Sequence, residues 1–220
     1  MSEQASSNKW GDPIENISAT RRNKLKLLED TQQEWAKLPV SERGNSPLSN
    51  EDLTGAEVFF LATYTWFEAP NKMGIAEQEL RNNVVRPNYR LHLEGAHMNG
   101  AVLNGAILAG ARLDGADLSS TYLAGSNLTL AAVIGANLNH ADRSGVNFQR
   151  ADLSDANLGD ANLTDARLLT TTMCRAMLRN ADLHGTQLCY ADQTNADLRG
   201  TRMNGYTVLS GCKVAGASFD

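Results

Sequence analysis

From Leu91 onward, small and apolar residues recur with a period of five. Every fifth position from Leu91 to Thr201 is small at all but two of 23 places, the exceptions being Leu91 itself and Val146. Two residues after each comes a larger side chain, running Leu93, Met98, Leu103, Leu108 and on to Met203, apolar at 21 of the 23. A helix needs apolar spacings of three and four and a strand needs two, so offsets that alternate between two and three fit neither. The chain has to turn once per repeat. Four turns close a square, with the large residue filling the interior, the small one tucked beside it and the other three facing water. Successive coils then stack as parallel strands about 4.8 Å apart. Glycine stands two places after the large residue in 11 repeats, where a corner can demand positive φ, and Asn-Gly at 99–100, 104–105 and 204–205 strengthens the turn reading.

Two interior positions are polar: Arg143 in ADRSG and Gln193 in ADQTN. With four repeats per coil, Arg143 stacks between Leu123 and Leu163, and Gln193 above Met173. A buried, unpaired guanidinium costs several kcal/mol, so Arg143 is expected to snorkel outward through a local distortion. Its functional reading is a bulge at a binding site. The phase also slips by one after Met203, where Leu209, Val214 and Phe219 continue the pattern, so an extra residue sits between 204 and 208.

The segments ADLSSTYLAGSNL, ADLSDANLGDANLTDARL and NADLRGTRMNG resemble the A(D/N)LXX motif of the pentapeptide-repeat family, over about 60% of the chain. The resemblance implies a β-solenoid, a right-handed quadrilateral parallel β-helix, in a family that is usually bacterial. It also implies one mechanism, DNA mimicry, by which quinolone-resistance and toxin-immunity members bind DNA gyrase or topoisomerase IV. Residues 91–220 carry 12 Asp/Glu against 9 Lys/Arg, and arginines 167, 175, 179, 199 and 202 interrupt the second half, which dilutes a duplex-like potential of one charge per about 1.7 Å. A solenoid end exposes core and strand edges. Pairing of two chains through Met203, Tyr206, Leu209, Val214 and Phe219 would cover them, and is similar to the C-terminal dimers of some family members.

Ahead of the repeats, residues 1–15 are polar and read as a disordered tail, and 16–90 as a short α-helical N-terminal region. Leu25, Leu28, Trp35 and Leu38 sit at near-helical spacing up to Pro39, and 39–50 read as a linker. Asn50 is placed to cap a second helix through the apolar run Val58 to Phe67. Leu53 and Val58 also fit two pentapeptides, but helix is the preferred reading. A helix apolar all round needs cover, and the open first coil at Leu91, Leu93 and Met98 needs the same, so this region is expected to cap the solenoid. The alternative is that Phe59, Phe60, Trp66 and Phe67 form a partner-binding patch.

Composition narrows the function. A net charge of −5 with no dense Lys/Arg block argues against direct nucleic-acid binding. The longest apolar stretch has ten residues, against the roughly 20 a bilayer span needs, and with no signal pattern at the N-terminus the expected location is cytoplasmic. Cys174, Cys189 and Cys212 form no CxxC pair and read as structural thiols. No phosphate loop, dinucleotide fingerprint, zinc pair or nucleophile elbow occurs. His92 and His97 fall on adjacent faces, with His140 and His184 remote, so no metal site, cofactor or catalytic residue is expected. Asp117, Asp142, Asp152, Asp182, Asp192 and Asp197, each just before a large interior residue, read as solvating groups of the motif. The leading expectation is a non-enzymatic protein–protein interaction scaffold, with gyrase protection the alternative.

Overall fold

The computed structural model describes residues 17–37, 52–54, 57–58 and 91–220. In the repeats, one set of backbone hydrogen bonds recurs. The N–H of each large interior residue from Leu93 to Leu198 donates to a carbonyl in the next coil, as Leu93 to Arg112 at 2.8 Å. The residue before it donates back, as Arg112 to Leu91 at 2.9 Å. The corner residue two places after it reaches the next coil as well, as Gly95 to Asp114 at 2.9 Å, and the following small residue closes the turn, as Ala96 to Leu93 at 3.1 Å. Four of the five N–H groups in a repeat are thereby satisfied within the backbone, as buried amides require.

All bridges are parallel, and from His92↔Arg112 to Asp182↔Arg202 each joins residues 20 apart, which makes four repeats one turn of a four-sided coil. The four ladders define four faces. Face 1 runs His92, Arg112, Ala132, Asp152, Thr172, Asp192, Lys213; face 2 runs His97, Asp117, Asn137, Asn157, Met177, Asp197, Ser218. Face 3 runs Val102, Tyr122, Asp142, Asn162, Asp182, Arg202; face 4 runs Ile107, Asn127, Asn147, Arg167, Gln187, Val208. The corners carry positive φ at glycines such as Gly95 and also at twelve other residues, among them Leu130 and Thr170. This is the third of four turn residues, the position where type II turns need a left-handed conformation.

The interior is a continuous column of buried Leu, Met, Phe and Ala from Leu91 to Leu198. Where Thr replaces the small residue, its hydroxyl finds a carbonyl: Thr121 donates to Leu118, Thr171 to Phe148 and Thr186 to Leu163. The slip lies where the phase placed it, since Gln187 pairs with Val208 and later bridges join residues 21 apart. Asn204 organises the extra residue. Its Oδ1 accepts from Tyr206 at 3.0 Å and from Gly185 at 3.1 Å, replacing the backbone acceptor that the slip removes. Gly205, unlike the corner glycines, lacks the positive φ expected of an Asn-Gly corner.

Helix α1 spans Ala19–Lys37 and is capped by Ser18, whose Oγ accepts from the Arg21 N–H at 3.1 Å. Leu25 is fully buried and Leu28 partly so, and Ile17, Leu25, Leu53 and Val58 belong to the same apolar cluster as Leu93 and Met98. The segment around Leu53 combines its two readings. Asp52 pairs with His97 and the Leu53 N–H donates to the His97 carbonyl at 2.7 Å, which extends face 2 by one rung. Helical residues Glu57 and Val58 follow, and the cap is Thr54 in place of Asn50. The Thr54 Oγ1 accepts from the Glu57 N–H, and the Glu57 Oε2 accepts from the Thr54 N–H at 2.8 Å, a capping box that Asn50, ahead of the paired Asp52, is too early to form. Arg21 ties the two segments together, with Nε 2.6 Å from Glu57 Oε1. The tail 1–15, the linker 39–50 and the aromatic run lie outside the described residues. No helix among those described is long and apolar enough to cross a membrane.

Arg143 departs from expectation. It does not snorkel; it is fully buried, in register between Leu123 and Leu163. The regular ladder persists through it, with its N–H bonded to Asn162 at 2.8 Å, so no bulge opens a path to solvent. Its Nη2 donates to the Leu138 carbonyl, while Nε and Nη1 have no partner. Gln193 is buried with both amide atoms unpaired. Burial pulls the Arg143 guanidinium down from the usual arginine range to about 9, partly offset by the neighbouring Asp142 carboxylate. A base with a lowered folded pKa penalises the fold wherever it must stay charged. The penalty is complete below pH 9 and is relieved as pH rises through that value, because only the unfolded chain then keeps the proton. Arg143→Leu is therefore expected to raise stability by about 1–4 kcal/mol near pH 7. The gain in melting temperature should shrink as pH rises above about 9. A variant that melts lower than wild type at neutral pH would show that the cation is paired.

Candidate interaction surface

One N–H per repeat is left over by the backbone, that of the residue just after the large interior one. Where Asp or Asn stands two places earlier, its side chain is the partner. The Asp117 Oδ1 accepts from Ser119 at 3.1 Å, Asn127 from Thr129 at 3.0 Å, Asp152 from Ser154 at 3.0 Å and Asn157 from Gly159 at 3.1 Å. All eleven Asp or Asn residues in that place within 91–203 make this bond. Six are Asp and five Asn, so the position selects an oxygen at the right reach and not a charge. The aspartates read as solvating groups thus have a structural task that the five-residue pattern displays but does not explain.

Several of them are also neutralised. Asp182 lies 3.1 Å from Arg202, Asp192 3.4 Å from Lys213, and Asp197 2.9 Å from Arg179 and 2.6 Å from Arg199. Hydrogen bonding from Arg199 holds the Asp197 carboxyl well below its usual range, and that from Arg175 lowers Asp155 likewise. At the other end, Glu94 is buried with Arg112 at 3.0 Å and the His92 Nδ1 at 3.0 Å. His97 faces Asp52, 3.6 Å away on face 2. No group of three metal-binding side chains occurs among the described residues. The three cysteines are free thiols; that of Cys212 donates to the Leu188 carbonyl, and burial pushes its pKa up.

The residues expected at a C-terminal interface fall on the last coil. Tyr206, Leu209, Val214 and Phe219 are exposed, and Met203 is partly buried against the core. The N–H groups of Met203, Leu209, Val214 and Phe219 have no backbone acceptor, unlike every interior residue before them. Phe59, Phe60, Trp66 and Phe67 lie outside the described residues. Arg143 and Gln193 are inside the column and contribute nothing to the surface.

The family model for pentapeptide repeats matches eight copies, over residues 90–129, 116–155, 134–169, 156–192 and 171–205. The chain is a pentapeptide-repeat protein. Members of known structure are right-handed quadrilateral β-helices, and the ladder of 20-residue steps is the quadrilateral of this one. Among solved structures it is similar to the pentapeptide repeat protein Rfr23 of the cyanobacterium Cyanothece, at 31% identity over 43% of this chain and 60% of that one, with a TM-score of 0.35. A pentapeptide repeat protein of the Arabidopsis thaliana thylakoid lumen shares 26% identity over 46% and 60%, TM-score 0.32. HetL of Nostoc, described as involved in heterocyst differentiation regulation, shares 30% over 59% and 69%, TM-score 0.29. The chain spans 60% of the length of the first two. Overlaps this loose transfer no property, and no protein of curated function matches. In this pentapeptide-repeat protein, Asp152→Asn is expected to leave the melting temperature unchanged, while Asp152→Ala lowers stability by about 1 kcal/mol. Equal losses in both variants would show that charge, not hydrogen bonding, keeps aspartate there.

Proposed function

We propose that the chain is a non-enzymatic protein–protein interaction scaffold. The observation that carries this reading is the lattice itself. A filled interior puts the polar and charged side chains, Arg143 and Gln193 apart, mainly on four outward faces and their corners, held in register by the backbone ladder. Such a surface is pre-organised, so little side-chain and backbone freedom is lost when a partner docks. In this reading residues 16–90 close the N-terminal end of the column, with Ile17, Leu25, Leu53 and Val58 against its first coil. The DNA-mimic alternative is less well supported, because Asp155, Asp182, Asp192 and Asp197 are held in ion pairs with Arg or Lys. At the other end, a second copy covers the open coil at Leu209, Val214 and Phe219, where four N–H groups and an apolar rim await a partner.

A gyrase supercoiling assay with and without a fluoroquinolone is expected to show neither inhibition nor drug protection by low-micromolar protein. Either effect would establish the mimic in place of the general scaffold. Light scattering at micromolar concentration should give twice the chain mass of 23.8 kDa, and Phe219→Glu with Leu209→Glu should halve it. A wild-type mass near that of one chain would sink the end-to-end dimer.

A further inference from the structure

The four faces differ in charge. All 12 Asp and Glu of residues 91–220 lie on faces 1 to 3 or at the corners that follow them. Face 4 and its following corner, residues 107–110, 127–130, 147–150, 167–170, 187–190 and 208–211, hold none. Their only charges are Arg150 and Arg167, both exposed, one coil apart. Arg112, Arg175, Arg179, Arg199 and Arg202 are all in ion pairs. Arg150 and Arg167 have no ion pair or side-chain hydrogen bond among the described residues. Their stack neighbours explain why: Asn147 and Gln187 flank Arg167 along the ladder, and Leu130 and Thr170 flank Arg150 along the corner. Of the carboxylates two residues away, Asp152 accepts from the Ser154 N–H and Oγ, and Asp165 lies over Gly185, where its Oδ1 would meet an added Cβ at 2.2 Å.

Large apolar side chains share this face and its corner, Leu130 one coil from Arg150, with Tyr190 two coils from Arg150 and Val208 two coils from Arg167. Leu130 is 47% exposed, Tyr190 67% and Val208 41%. Tyr190 is held in place because its ring covers Gly211, where a Cβ would come within 2.5 Å of Cδ1. Arg and Tyr among apolar residues, with Asp, Glu and Lys absent, is the composition of an interface centre.

We propose that face 4 is the docking surface of this scaffold and that its occupant is an acidic protein segment, with carboxylates against Arg150 and Arg167 and apolar side chains against Leu130 and Tyr190. The inference rests on the interaction reading above and adds to it the face and the chemistry of the partner. Charge complementarity selects the occupant: on a chain of net charge −5, the other three faces repel an acidic segment and this one attracts it. Two cations are too few for a nucleic-acid backbone, where binders make about 6–10 phosphate contacts, and fewer than the roughly 4–8 clustered basic residues that hold an anionic membrane.

The test is selection from a random peptide library of about 12 residues, long enough at about 40 Å extended to cross the face, on the intact chain. The enriched peptides are expected to combine Asp or Glu with apolar residues. Their affinity should fall about tenfold or more for Arg150→Gln with Arg167→Gln and for Tyr190→Ala. It should hold for Arg175→Gln with Arg202→Gln on the other faces, with melting temperatures of the arginine variants within about 2 °C of wild type. Peptides that bind the Arg150/Arg167 variant as well as wild type would overturn the assignment of face 4 and leave the scaffold reading standing. A library with no enriched binder would overturn both. Binding of anionic lipid vesicles or duplex DNA lost with the same two arginines would replace the protein occupant by those polyanions.

Discussion

The structure depends on the pairing of backbone amides with carbonyls one coil away, three in each five-residue repeat. A five-residue repeat has five N–H groups, and the backbone alone satisfies four. Where Asp or Asn stands two places earlier, its side-chain oxygen meets the fifth, so side chain and backbone share one hydrogen-bond plan. Repeats of equal length keep each donor opposite the equivalent carbonyl in the next coil. The same plan explains the response to the slip at 203–208, where the oxygen of Asn204 takes the place of the lost carbonyl.

Such a plan tolerates local faults because its bonds are so numerous. Twelve residues other than glycine accept positive φ at corners, Thr170 and Leu130 among them, each at a cost of roughly 1–2 kcal/mol. Arg143 sits inside with two nitrogens unpartnered, yet the ladder above and below it keeps normal lengths. Expelling the guanidinium would have broken the bonds of Arg143 to Asn162 and of Leu123 to Asp142. The backbone pairs hold, and the column carries the buried guanidinium as a local cost.

This balance marks what was legible in the residues alone. Period, cross-section and the slip after Met203 follow from spacing, because Leu and Ala have one place to go in a square coil. Arg143 was misjudged by treating its side chain as free to move and its backbone as free to bend, when the ladder holds both. The cap at Thr54 is recognisable only once the paired Asp52 shows where the helix can begin. The surface reading missed the bond made by the aspartates, since their alternation with asparagine was visible but the unpaired N–H was not.

The same bond bears on where function can reside. A face position occupied by Asp or Asn is constrained by its own backbone, and a position that abandons them gives up a hydrogen bond. Face 1 departs from Asp or Asn at His92, Arg112, Ala132 and Thr172, and face 4 at Ile107, Arg167, Gln187 and Val208. The N–H groups of Leu169 and Cys189 are left without a protein acceptor there. Local rules are broken where another requirement competes with stability. The losses at Arg167 and Gln187 give up a side-chain hydrogen bond and leave the backbone ladder intact, and they fall on the face with no carboxylates, which carries two unpaired arginines and the exposed ring of Tyr190.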